Sequence, residues 1–142
     1  MARLSFFTIV ALTVAGLVSA APIQQTDLSN KELSKRGSSY TGTATFFHPA
    51  TEGGSTGACG PEADNDSQIV ALNAEQYGDL DEISDWCGKE IEITGPAGTT
   101  NAVITDACPE CSSGDLDLTP SVFSQVVGDE DQGVGEITWT VV

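Results

Sequence analysis

Asp106 and Asp117 stand eleven positions apart in a chain of 142 residues, separated by the cysteine-bounded stretch Cys108-Pro109-Glu110-Cys111 and a short glycine-containing link. Two carboxyl groups held by a closed loop suit acid–base chemistry. One of them keeps its proton if burial or the neighbour's charge raises its pKa, and a protonated carboxyl donates to an oxygen of a bound ligand. Thr45, in Gly42-Thr43-Ala44-Thr45, would add a hydroxyl, while Tyr40 and Phe47 would add aromatic faces. Each residue also has a plainer reading. Asp106 after a strand would cap a turn by accepting backbone amides. Asp117 between Leu116 and Leu118 would face solvent while the leucines pack, and Thr45 is a good strand residue. Trp139 alternates with Ile137 and Val141 and is expected in the core; Trp86, beside Cys87, is expected to pack over a disulfide.

The elements that must position these groups are short. Tyr40–Phe47, Ile69–Leu72, Glu90–Thr94, Ala102–Thr105, Leu116–Leu118 and Glu136–Val142 read as six strands, from β-branched runs or alternation of apolar with polar residues. Gly95-Pro96-Ala97-Gly98 marks a turn. Thr119 before Pro120 reads as a helix start, the hydroxyl accepting an orphan amide and the proline standing where its missing N–H does no harm. Phe123, Val126 and Val127 then share one face, and a second short helix is expected near Asn73–Tyr77. Many short strands with glycine-rich turns predict an all-β barrel or sandwich.

The ends of the chain and its charge narrow the setting. Met1-Ala2-Arg3, the apolar run Leu4–Val18 and Val18-Ser19-Ala20 read as a signal peptide over 1–20. The polar segment 21–36 ends in Lys35-Arg36 and reads as a propeptide cut by a processing protease, leaving 37–142 as one domain with no further binding module. That domain sets nineteen acidic residues against Lys89 alone, and one cation minus nineteen anions gives −18. Such a field repels nucleic acid, anionic membranes and acidic polymers, so the expected partner is a neutral or cationic polysaccharide or a basic protein. Four cysteines in a secreted domain imply two disulfides, for which sequence leaves three pairings open. No metal site or cofactor motif is read, and Asn65-Asp66-Ser67 is a glycosylation sequon.

Thr105-Asp106-Ala107-Cys108-Pro109-Glu110-Cys111, Leu116-Asp117-Leu118-Thr119-Pro120, Gly42–Phe47 and the closing Gly135–Val142 resemble the expansins, their single-domain loosenin relatives and RlpA-like proteins, over roughly Tyr40 to Val142. The resemblance implies a six-stranded double-psi β-barrel with one or two short helices. It implies the pairing Cys59–Cys87, which leaves Cys108–Cys111. It places Asp117 at the position of the general acid of related endoglucanases, with Asp106 as its neighbour and Thr45 in the same polar groove. This sequence departs from bacterial expansins in having Cys108 where they carry a tyrosine. Glu52 is the one carboxylate between Gly37 and Cys59, offered as a second carboxylate for hydrolysis but given little weight, and His48-Pro49 is read as a turn. The function implied is a secreted, monomeric, cell-wall protein of fungal type that binds chitin, chitosan, or a β-glucan such as cellulose in the wall and loosens it without hydrolysis. The alternatives are a protein-binding barrel, such as a cysteine-protease inhibitor or kiwellin-like binder, and a glycoside hydrolase or lytic transglycosylase.

Overall fold

The structure is a computed structural model that describes residues 37–52 and 54–142, so the expected leader, 1–20, and propeptide, 21–36, lie outside the described residues. The strands are β1 (Ser39–Phe46), β2 (Ile69–Asn73), β3 (Glu90–Thr94), β4 (Thr99–Cys108), β5 (Leu116–Leu118) and β6 (Gly135–Val141). They close into a barrel in the order β1-β5-β2-β4-β3-β6. The pairs β1/β5 and β2/β4 run parallel and the other four antiparallel. Two short helices, α1 (Ala74–Tyr77) and α2 (Pro120–Val126), and a 3₁₀ turn at Glu130–Gln132 complete the domain.

Alternation decides which side of each strand faces in. In β3, Ile91 and Ile93 are buried while Glu90, Glu92 and Thr94 are exposed. In β5, Leu116 and Leu118 are fully buried. Turning β5 over would expose both leucines at a cost of about 3–6 kcal/mol, so Asp117 is held on the barrel's outer face. The interior is filled by aliphatic side chains from the strands, with Trp139 and Phe123 the largest, as expected for a small barrel with no lumen.

One crossing explains two glycines. Gly114, on the link into β5, has φ +89°, and a Cβ there would lie 2.3 Å from the Thr41 carbonyl oxygen. A Cβ on Gly42 would meet the Gly114 carbonyl at 2.4 Å, so two backbones pass in contact with no side chain between them. The Trp139 indole donates to the Gly114 carbonyl at 2.8 Å, which satisfies both buried groups and ties the crossing to the core.

The sequence-based elements differ from the observed ones by single residues at the ends of β1, β2 and β6, and more in two places. β4 runs from Thr99 to Cys108, longer at both ends than the expected 102–105. The 95–98 turn is a tight one, closed by Gly95 N–H to the Gly98 carbonyl, so pairing with β3 begins at once, and β2 supports the strand as far as the Asn73–Cys108 pair. Thr119 precedes α2 as expected, but its hydroxyl caps nothing: it is fully buried and donates to the Ser67 carbonyl at 2.6 Å. A buried hydroxyl must donate somewhere, and the Ser67 carbonyl just before β2 takes its proton. Asn73 does cap α1, accepting from the Gln76 N–H at 3.0 Å.

The bridges are Cys59–Cys87 and Cys108–Cys111. The first packs against the core, whereas the second closes a three-residue separation on the surface side of β4.

Candidate functional site

Thr45, Asp117, Ala71 and Asp106 form one cross-strand row. Thr45 on β1 pairs with Asp117 on β5, Asp117 pairs with Ala71 on β2, and Ala71 pairs with Asp106 on β4. A methyl group thus lies between the two carboxylates and leaves the space between them open. A bulge completes the row. Val70 opposes Ile104, but Ala71 opposes Asp106, so Thr105 is left without a partner on β2. Regular pairing would set Asp106 against Leu72 and turn it into the core, because one residue of slip reverses the face. The free Thr105 carbonyl instead accepts the Cys59 N–H at 3.0 Å, anchoring the 55–60 loop beside the row.

That loop also fixes Asp106. Its Oδ1 accepts the backbone N–H groups of Ala58 at 2.7 Å and Ala107 at 2.8 Å. Gly57 permits the approach, since a Cβ there would lie 2.6 Å from the Thr105 oxygen and 2.9 Å from the Asp106 Cβ. Asp106 therefore accepts amides, as its plainer reading anticipated, and lines the groove as well. The Thr45 hydroxyl donates to Asp117 Oδ1 at 2.7 Å.

Asp117, Ala71 and Asp106 of the row line a groove of about 530 Å³ together with Phe47, Glu52 and Glu110, and Thr45 reaches it through its hydrogen bond to Asp117. Burial pushes the Asp117 carboxyl above its ordinary value of 3.8, and the charges of Glu52 and Asp106 push the same way; the Thr45 hydroxyl opposes them by stabilising the ionised form. The surroundings of Asp117 thereby favour its protonated form, the form that can donate to a ligand oxygen.

Of the residues expected from sequence, Asp106, Asp117, Thr45 and Phe47 come together here. Tyr40 does not: it stacks on Trp139 with ring centroids 4.2 Å apart and meets Trp86 edge-on at 6.0 Å. Its position in β1 has the opposite parity from Thr41, Thr43 and Thr45, which face outward. Trp139 is in the core, as read. Trp86 lines a separate hollow with Ile83 and Asp85, and Lys89 Nζ lies 4.4 Å from its ring centroid. His48 starts a turn, accepting the Thr51 and Glu52 N–H groups through its carbonyl, and its Nε2 stands 3.8 Å from Glu130.

Two further carboxylates line the groove. Glu52, offered from sequence as a second carboxylate for hydrolysis with little weight, is one of them, and its Oε2 accepts the His48 N–H at 2.7 Å. Glu110 was not singled out; the signal available was its place inside the Cys108–Cys111 loop, next to Asp106.

The chain is similar to known proteins over this same barrel. No protein-family model matches the sequence. It is 29% identical over 140 residues to Expansin-YoaJ of Bacillus subtilis, covering 97% of this chain and 53% of that protein. It is 32% identical over 97 residues to the Allergen Asp f 7 homolog of Arthroderma benhamiae, covering 64% of this chain and 34% of the other. The chain thus spans a third to a half of the length of these curated relatives. Among solved structures, the expansin of Clavibacter michiganensis superposes with a TM-score of 0.62 at 29% identity, over 74% of this chain and 50% of that one. The domain is an expansin-like double-psi β-barrel. A point variant of that Clavibacter expansin has been solved in complex with cellohexaose, at 27% identity to this barrel. The Streptomyces papain inhibitor also shares the barrel, with a TM-score of 0.64 at 29% identity, over 75% of this chain and 96% of that one.

Proposed function

We propose that this expansin-like barrel is a secreted protein that holds a wall polysaccharide, a β-glucan, chitin or chitosan, in the groove above Asp117 and weakens its packing without cleaving it. The observation that carries the reading is the row Thr45, Asp117, Ala71, Asp106, of which the last three line an open groove, on a barrel similar to an expansin solved with cellohexaose. A polysaccharide fibre is held together by hydroxyl-to-oxygen bonds between chains. A carboxyl group disposed to hold a proton can donate to one of those oxygens, while neighbouring carboxylates accept from the hydroxyls. Each bond made to the groove substitutes for one between chains, which loosens the fibre with no covalent step. Two disulfides and expansin relatives support an extracellular setting.

The test is depletion of the full chain from solution by cellulose, chitin and chitosan particles at two salt concentrations, with reducing ends counted in each supernatant. Salt-resistant binding with no new ends is expected, along with loss of fibre weakening in Asp117→Asn. Accumulation of new ends would make the protein a hydrolase instead.

A second reading rests on the papain inhibitor, almost all of which this barrel covers. It makes the chain a protein-binding barrel whose strong acidity suits a basic partner. Stoichiometric inhibition of papain that survives Asp117→Asn would replace the first reading with this one.

A further inference from the structure

The groove carries more negative charge than the Asp117 and Asp106 pair requires. Glu52 and Glu110 line it too, so four carboxylates share one depression. Three of them are fixed through one oxygen: Asp117 by the Thr45 hydroxyl, Asp106 by two backbone N–H groups, and Glu52 by the His48 N–H. The second oxygens of Asp106 and Glu52 have no hydrogen-bond donor among the described residues, and Glu110 has none at either oxygen. No basic group of the described domain compensates them. Lys89 is engaged over Trp86, and His48 is turned to Glu130.

Whatever occupies the groove must therefore bring the balancing charge or accept the repulsion. A bare metal ion does not fit, because among the described residues no three such groups converge to hold one. The carboxylates are distributed along the walls and floor, and a distributed array suits a ligand whose positive charges are themselves distributed. A chain bearing one ammonium group per sugar has that property, and each ammonium supplies the donors that the unpaired oxygens lack. Charge-assisted hydrogen bonds of this kind are about twice as strong as neutral ones. Neutral sugars offer only uncharged donors, hydroxyls and, where N-acetylated, an amide N–H.

We propose that the groove selects β-linked polymers of amino sugars with free, protonated amines, such as deacetylated chitin, over their neutral counterparts. The proposal rests on the glycan-binding reading of the same groove and names its substrate class.

The experiment is calorimetric titration of the full chain with three hexamers: glucosamine, N-acetylglucosamine and glucose, the last two being neutral. The glucosamine hexamer should bind at least about tenfold more tightly than either neutral one. Because the domain is acidic throughout, two variants separate the groove from bulk attraction. Glu52→Gln with Glu110→Gln should lose most of that preference while keeping an oxygen for the His48 N–H. Asp79→Asn with Asp81→Asn, the same change in charge on a loop outside the groove, should keep it. Equal affinity for the three hexamers would overturn this inference and leave the glycan-binding reading standing. Equal loss of preference in both double variants would overturn it as well, assigning the preference to net charge. Binding to none of the three would overturn the glycan reading and this inference with it.

Discussion

Asp117 concentrates the chemistry of the groove in one carboxyl group whose surroundings disfavour its charge. Its proton affinity is raised in the folded state, so it binds more protons folded than unfolded between its ordinary value and its raised one. The neutral form is the stabilised one: that contribution is fully present below 3.8 and is lost as pH rises through the higher folded value. Asp117→Asn removes the charge permanently, so we expect its melting temperature to exceed the parent's at pH 7 and the difference to shrink towards pH 3.5. Thermal unfolding across that range checks it. Thr45→Val deletes the donor that favours the ionised form and should move the Asp117 titration further up, as read by carboxyl-carbon NMR. These expectations concern electrostatics and hold whatever the groove binds.

The Val70/Ala71 bulge is the element that turns Asp106 outward, and the 55–60 loop keeps it there. Gly57→Ala should displace that loop from Thr105 and Asp106, costing about 1–3 kcal/mol and weakening glycan binding; urea unfolding and particle depletion read the two effects separately. The disulfides should divide in the same way. Cys59–Cys87 closes a 28-residue separation and Cys108–Cys111 one of only 3. In the chain-entropy picture they contribute about 3.6 and about 1.6 kcal/mol respectively. Replacing both Cys108 and Cys111 by serine should leave a folded barrel but release the Pro109–Glu110 wall, so binding should fall by more than the stability loss implies. Strand boundaries were readable where alternation was strong, as in β3, and poorly readable in β4, whose ends are set by a tight turn and by pairing with β2. The face on which Asp106 emerges was not readable at all. A bulge depends on which residue of a distant strand stands opposite, and spacing along one strand carries no record of that.

Across the whole domain, nineteen acidic residues stand against Lys89, and the one ion pair among the described residues is His48 with Glu130. Self-repulsion of this size destabilises the compact state and is screened by salt. The melting temperature should therefore rise between about 10 and 150 mM sodium chloride, as calorimetry would record, and a barrel indifferent to salt would show that its charges are too far apart to matter. The chain alone contained the all-β architecture, the inward faces of most strands, the acidity and the outward placement of Asp117 between two inward leucines, because these follow from local alternation and composition. The pairing of the cysteines and the barrel's topology came through family resemblance and agree with the structure. Tertiary structure was needed to bring Glu52 and Glu110 to the groove, to withdraw Tyr40 into a stack on Trp139, and to direct the Thr119 hydroxyl to Ser67 instead of a helix amide. Each of those outcomes is a contact between residues distant in sequence. Its energy depends on distances that exist only once the barrel has closed.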